Sequence, residues 1–349
     1  MRIIWITPGF AADDQDHNCI PPLQLLARAL VRFGVDLHII ALEYPFTSNV
    51  YAWDHPGATV YPCNGRNRRW MRWQTFARAR AYAQQIQENA QTALVHSFWL
   101  GPAWILGEQF CARWGIPHRT TLMGQDVLPG NRYLRRLNAG HAGRLIALSG
   151  FHAAALEKTC GFRPGHCIPW GIVAQELPAH LPRERPVDVL GAGALLPVKN
   201  WSRWLRVLRL VADAQPALRA MLIGAGPEKH ALQTLARQLD LGQTVTFAGQ
   251  LPRAQVLEAM HNSRVLLHTA NFESFGYVLA EAAAHGCRVV STPVGTAPDI
   301  GVCAGSDTGL ATAVLHALTT PATGNSGRVA RMEDVAEAYL ALYASALGH

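Results

Sequence analysis

Two carboxylates, Glu273 and Glu281, stand eight residues apart in residues 271–295, NFESFGYVLAEAAAHGCRVVSTPVG. A strand that feeds a helix through Ser274-Phe275-Gly276 offers an anion the first backbone N–H groups of that helix, which have no partner inside it. Gly276 lets the backbone come close to a ligand. Glu273 precedes the helix, and Glu281 lies about two turns inside it. A diphosphate on the N–H groups, with sugar and ribose hydroxyls donating to the two carboxylates, suits a sugar nucleotide. Lys199, behind Gly191-Ala-Gly193-Ala194, adds a cation that can neutralise phosphate.

The elements that must hold these groups are legible as apolar runs. Residues 264–268 and 288–291 read as buried strands, and Leu279, Ala280, Ala283 and Ala284 mark the helix between them. Earlier, residues 2–6, 36–42, 94–97, 119–122 and 144–148 read as short strands separated by helix-length segments. Residues 22–33 form the first helix, with Leu23, Leu26, Ala27 and Leu30 on one face and Gly34 as its stop. Such alternation predicts a parallel sheet covered on both faces. Residues 175–186, with three prolines, read as a linker, and a second alternation begins at 187–190. Near the end, Val329, Met332, Val335, Ala338, Tyr339 and Leu342 have helical spacing.

A length of 349 residues predicts two domains, and 49% hydrophobic with 16% charged residues predicts a globular chain. No apolar run approaches the roughly 18 residues that a spanning helix needs, and the start, MRIIWITP, is not a secretory signal, so a cytoplasmic protein is expected. Seven cysteines without a C-x-x-C pair predict free thiols rather than disulfides or a zinc site. Residues 1–170 carry 17 Lys and Arg against 10 Asp and Glu; residues 171–349 carry 14 against 14. The first half alone therefore holds the basic surplus and is the half expected to meet something anionic.

Its densest basic run, residues 65–80 (GRNRRWMRWQTFARAR), interleaves arginines with Trp70, Trp73 and Phe76. This composition suits peripheral contact with an anionic membrane, or a surface helix whose aromatic residues pack inward. It contains no nucleic-acid-binding module, and nucleic acid is not an expected partner. His96, Trp99, Gln125 and Asp126 sit at or just beyond the C-terminal ends of predicted strands, where open α/β folds place ligands. His17, in the loop after the first strand, Met123 and Arg132 join His96 and Trp99 as candidate acceptor contacts, and Asp126, a catalytic candidate with Gln125, can alternatively cap a helix. Neither Gly191 nor Gly224 begins a G-x-G-x-x-G run, which argues against a dehydrogenase.

The E-x7-E pair with ESFG and VVSTPVG resembles the signature of the family 4 glycosyltransferases. The resemblance extends to Ile-Pro-Trp-Gly at 168–171, the Gly191–Lys199 loop, Ile223-Gly224-Ala-Gly226-Pro227 and Phe247-Ala-Gly249-Gln-Leu251-Pro. It implies the α/β GT-B fold, two Rossmann-like doubly wound domains facing a central cleft. Residues 1–172 would bind the acceptor, with a helix at about 328–349 packing back on them, and residues 173–327 would bind the donor. By the same resemblance Glu273 contacts the donor sugar and Glu281 the ribose. Ser274, Phe275, Gly276 and Tyr277 lie against sugar and phosphate. Gly193, Lys199, Gly224 and Gly226 face the diphosphate, and Phe247, Gly249 and Leu251 cup the base. Two departures stand out: Ala194 replaces an arginine beside the diphosphate, and Met123 stands where the family has a histidine against the donor sugar, leaving that chemistry to Gln125, Asp126 or His96. The implied reaction is sugar transfer from a UDP- or GDP-sugar, with retention and without a metal or other cofactor, to a glycan, lipid or small-molecule acceptor; the basic charge of the first half points to one that is anionic or membrane-borne. The site would lie in the cytoplasm or on the inner face of its membrane. A nucleotide-sugar epimerase and a non-catalytic sugar-nucleotide binder remain alternatives at this point.

Overall fold

A computed structural model of the chain describes residues 1–16, 19–54, 57–180, 182, 184–320 and 329–348. It divides into two compact units, Met1–Gly171 with Arg331–His349, and Ile172–Ala330.

The first unit begins β1 (Arg2–Gly9), α1 (Pro21–Arg32), β2 (Asp36–Tyr44), β3 (Tyr51–Trp53), β4 (Ala58–Pro62), α2 (Arg72–Asn89), β5 (Leu94–Phe98) and α3 (Pro102–Trp114). It continues through β6 (His118–Thr121), β7 (Leu145–Ala147), α4 (Gly150–Cys160) and β8 (His166–Cys167). The strands form one sheet in the order β3-β4-β2-β1-β5-β6-β7-β8, parallel except for β3 on β4. Ile3, Ile4, Trp5 and Ile6 of β1 are all fully buried, as expected of a central strand covered on both faces. The order reverses between β1 and β5, so the loops after these two strands diverge and leave a crevice at their C-terminal ends. Strands β3 and β4 had no counterpart in the periodicity. They are short, and Trp53 is buried by a tertiary contact with Phe10, 4.8 Å between ring centroids.

The second unit contains β9 (Val187–Ala192), α5 (Trp201–Ala214), β10 (Ala220–Ile223), α6 (Lys229–Gln238), β11 (Val245–Gly249) and α7 (Arg253–His261). Then come β12 (Ser263–His268), α8 (Tyr277–Ala284), β13 (Arg288–Ser291), α9 (Ala297–Ile300), β14 (Val302–Cys303) and α10 (Asp307–Thr319). Its sheet is wholly parallel, in the order β11-β10-β9-β12-β13-β14, which is the doubly wound arrangement with its switch point between β9 and β12. Helix α5 buries Trp201, Trp204, Leu205, Leu208 and Val211 on one face, while Arg203 on the other pairs with Asp307 at 2.7 Å. The segment read as a linker is tied down at both ends. Arg185 donates to the carbonyls of Ser263 and Gly286 at 2.7 and 2.6 Å, and Glu176 accepts from Arg253.

The last helix, α11 (Met332–Leu347), belongs to the first unit and packs on α1. Tyr339 and Tyr343 are its fully buried anchors.

Candidate functional site

In the second unit the candidate groups gather at the C-terminal ends of the strands, on the loops after β9, β10 and β12, at the end of β11 and in the first two turns of α8. The loops after β9 and β10 are pressed together: Gly193 donates its N–H to the Ile223 carbonyl at 3.0 Å and Leu195 to Ala225 at 2.9 Å. Gly224 sits at φ 147°, where a Cβ would come 1.9 Å from the Gly193 carbonyl oxygen, so no other residue fits without moving backbone. The loop carrying Lys199 is tied to the loop after β12, since Asn271 donates its N–H to the Val198 carbonyl at 2.8 Å and Thr269 its hydroxyl to the Asn200 carbonyl at 3.0 Å.

These ties bring Lys199 onto the Glu273 carboxylate, and His268, the last residue of β12, approaches the same oxygen at 3.0 Å. Burial alone would raise the Glu273 carboxyl. The His268 hydrogen bond and the Lys199 charge outweigh it and hold the group at about 2, so Glu273 is a carboxylate at any physiological pH. Gly276, at φ 80°, then turns the chain into α8. Within that helix Glu281 is buried and accepts from Arg253 at the start of α7. Arg253 also grips Glu176 through two nitrogens, at 2.6 and 3.2 Å, and lies 5.7 Å from the centre of the Tyr277 ring. Burial pushes the Glu281 carboxyl up, Arg253 pulls it back only in part, and the balance is about 7. Arg253, half-buried between two carboxylates, holds its proton more firmly than usual.

A cavity of about 360 Å³ opens beside these loops, lined by Gly193, Ala194, Gly224, Ala225, Leu251 and Glu281 among others. Its size and mostly apolar wall fit a small organic ligand. Not every residue of the expected donor set faces it. Phe247 packs on the core of its unit, because its ring sits on the side of β11 turned to α5 and α6. Gly249 instead gives its carbonyl to the Gly224 N–H at 2.8 Å, and Gly226 packs on Leu195. Phe275 is also buried, 4% exposed, so its ring is a core contact and only the backbone around it borders the turn. Ser274 and Tyr277 flank that turn half-buried.

In the first unit a cavity of about 450 Å³ sits at the switch point, lined by Pro8 near the end of β1, Trp99 after β5, Gln125, Asp126, and arginines of the 65–72 segment. Trp99 and Gln125 face it as expected. Asp126 lines it too, but both its oxygens are committed: Oδ2 accepts from the Leu100 N–H at 2.8 Å, and Oδ1 from the Gly124 N–H at 2.8 Å and the Met123 N–H at 3.2 Å. Asp126 therefore shapes two loops rather than acting as a catalytic base. His96 requires a correction as well. It is fully buried, its Nδ1 is 2.7 Å from the Tyr343 hydroxyl and its Nε2 2.9 Å from the Thr121 hydroxyl, and burial pushes its pKa well down. His96 is thus a neutral core imidazole under α11, with no face toward a ligand. Met123 is nearly buried, 9% exposed, and does not line the cavity. Arg132 stands outside, its guanidinium over the Tyr133 ring and donating to the Tyr133 hydroxyl at 3.0 Å. His17 lies outside the described residues. Trp70 and Trp73 are 65% and 69% exposed, so the basic run does not turn its tryptophans inward.

Three residues escaped the sequence reading: His268, Arg253 and Glu176. His268 was visible only as a polar residue ending an apolar strand, a weak signal; the ion pairs of Arg253 span 28 and 77 residues and left none. Among the described residues no group of three or more His, Cys, Asp or Glu could hold a metal ion, and no helix is long and apolar enough to cross a membrane.

Two family models match the chain, one described as Glycosyltransferase Family 4 over residues 23–176 and one as Glycosyl transferases group 1 over residues 174–313. A D-inositol 3-phosphate glycosyltransferase of Acidothermus cellulolyticus is 27% identical over 254 residues, 63% of this chain and 56% of that protein. Such matches span only 21% to 56% of the length of the curated relatives heading the comparison. Among solved structures, sucrose-phosphate synthase from Thermosynechococcus elongatus covers 100% of this chain and 99% of its own at a TM-score of 0.76 and 17% identity. A structure described as trehalose-6-phosphate from E. coli bound with UDP-2-fluoro glucose covers 98% and 99% at a TM-score of 0.73 and 13% identity. These likenesses concern the fold. With one family model on each unit, together spanning residues 23–313, the chain belongs to the family 4 glycosyltransferases and has the GT-B fold.

Proposed function

We propose that this chain transfers a sugar from a nucleoside-diphosphate sugar to an acceptor, with retention at the anomeric carbon and without a metal ion. The observation that carries the reading is the Lys199–Glu273–His268 cluster beside the cavity that ends on Glu281. In this reading the nucleoside occupies the 360 Å³ cavity with its ribose hydroxyls on Glu281. The diphosphate takes the N–H groups at the start of α8 and shares Lys199 with Glu273, and Glu273 orients the sugar hydroxyls. Acceleration then comes from positioning the acceptor and stabilising the departing diphosphate. UDP and GDP are the proposed carriers; the E. coli neighbour described as bound with UDP-2-fluoro glucose supports the first. The first unit is the proposed acceptor-binding unit. We further infer that residues 65–80 rest on an anionic bilayer, because exposed Trp70 and Trp73 stand among exposed arginines. Relatives of transferase type disfavour an epimerase or a silent binder, and product formed from donor without acceptor would reverse that preference.

The test is a thermal-shift panel of UDP, GDP, ADP and CMP on the wild type and on Glu281→Ala. A ligand of the folded state raises the melting temperature. One diphosphate is expected to stabilise the wild type and to lose its effect in the variant; no shift at millimolar nucleotide would overturn the donor site.

A further inference from the structure

We propose that the cavity of the first unit is built for an acceptor bearing a phosphate group, held by Arg68, Arg69 and Arg72. The proposal deepens, and rests on, the reading of that unit as the acceptor-binding one. Three arginines reach one cavity of about 450 Å³. Its two carboxylates form no ion pair with them: Glu43 accepts from the Asn67 N–H at 2.8 Å, and Asp126 accepts from three backbone N–H groups. Among the described residues no carboxylate pairs with Arg68, Arg69 or Arg72, whereas Arg203, Arg206, Arg253 and Arg264 of the second unit all have such partners.

Their position in the fold makes the unpaired charge more telling. Helix α2 starts at Arg72 with no acidic residue in its first turn, so these arginines gather at the positive end of the helix dipole, where cations destabilise. A bound anion relieves that repulsion. The cavity also presents a flat aromatic surface at a strained point: Trp99 lies at φ 67°, a conformation a bulky residue adopts only when its surroundings impose it. Its N–H is fixed on the Thr121 carbonyl at 3.0 Å, and the next N–H on Asp126. An indole wall and an arginine rim in one cavity match a compact ring or polyol carrying phosphate, and arginine suits phosphate because its planar fork donates two parallel hydrogen bonds.

Glucose 6-phosphate, glucose, and vesicles of phosphatidic acid in phosphatidylcholine are the probes, applied without nucleotide to the full chain. The variants are Arg69→Gln/Arg72→Gln and, for equal loss of charge outside both the cavity and the 65–80 segment, Arg32→Gln/Arg113→Gln, at two exposed positions of the same unit. Glucose 6-phosphate but not glucose is expected to bind the wild type, with affinity reduced roughly tenfold or more in the first variant and unchanged in the second. Binding only to the vesicles, with the same dependence on Arg69 and Arg72, identifies a lipid as the source of the phosphate and equally supports the site. No response to any phosphate probe, or equal losses in the two variants, overturns it. The UDP and GDP shifts of the same preparations report the donor site separately, so loss of one reading leaves the other measurable.

Discussion

Removing either partner of the Lys199–Glu273 pair disturbs a charge cluster whose strength is set by burial. A carboxyl brought from its ordinary 4.5 down to about 2 is worth about 3 kcal/mol to the folded chain at neutral pH. Because the folded value is the lower one, this stabilisation is complete above 4.5 and is lost as pH falls toward 2, with more than half of it gone near pH 3. Lys199 and His268 share the effect, so a double-mutant cycle of Lys199→Met and Glu273→Gln should give a coupling of about 1–2 kcal/mol. The assay is urea unfolding from pH 7 to pH 3, with hydrogen exchange of the segment from β12 through α8 to localise the response. Wild type should lose more than half of its advantage over Glu273→Gln across that range, and the coupling should shrink with it. A coupling below about 0.3 kcal/mol at pH 7, or one that does not change with pH, would refute an ion cluster of this strength.

Other consequences are testable by the same means. Glu281 titrates upward, to about 7, so the stability of its neutral form is present below 4.5 and lost as pH rises through 7; Glu281→Gln should flatten the pH dependence of unfolding between pH 5 and 8 by about 1–3 kcal/mol. Gly224→Ala should cost about 2–3 kcal/mol and abolish the nucleotide thermal shift, because its Cβ meets the Gly193 carbonyl oxygen at 1.9 Å. Tyr343→Phe, read by urea unfolding, should cost about 1–3 kcal/mol by leaving the buried His96 Nδ1 without its partner. Trp70→Ser/Trp73→Ser should leave stability within about 0.5 kcal/mol, since both side chains are mostly exposed, yet weaken sedimentation with anionic vesicles.

What the sequence by itself determined are the features that depend on near neighbours. Apolar runs such as Ile3–Ile6 and Val289–Val290 announce buried parallel strands because burial on both faces requires them. The periodicity of Trp201, Trp204, Leu205 and Leu208 places α5, and the spacing of Glu273, Gly276 and Glu281 marks a strand-to-helix turn with carboxylates on either side. Tertiary structure decided the rest, because charge and burial are set by partners remote in the chain. His96 and Trp99 stand three residues apart at the end of β5, yet Tyr343, 247 residues from His96, seals His96 into the core while Trp99 faces a cavity. Asp126 has a catalytic residue's composition and a loop-tying residue's contacts. Glu281 is poised near neutrality only because α8 buries it and Arg253, fixed by Glu176 from the segment before the second sheet, reaches it alone. A residue's type states what chemistry it could do; the desolvation and the charges that folding assembles around it decide which of these it does.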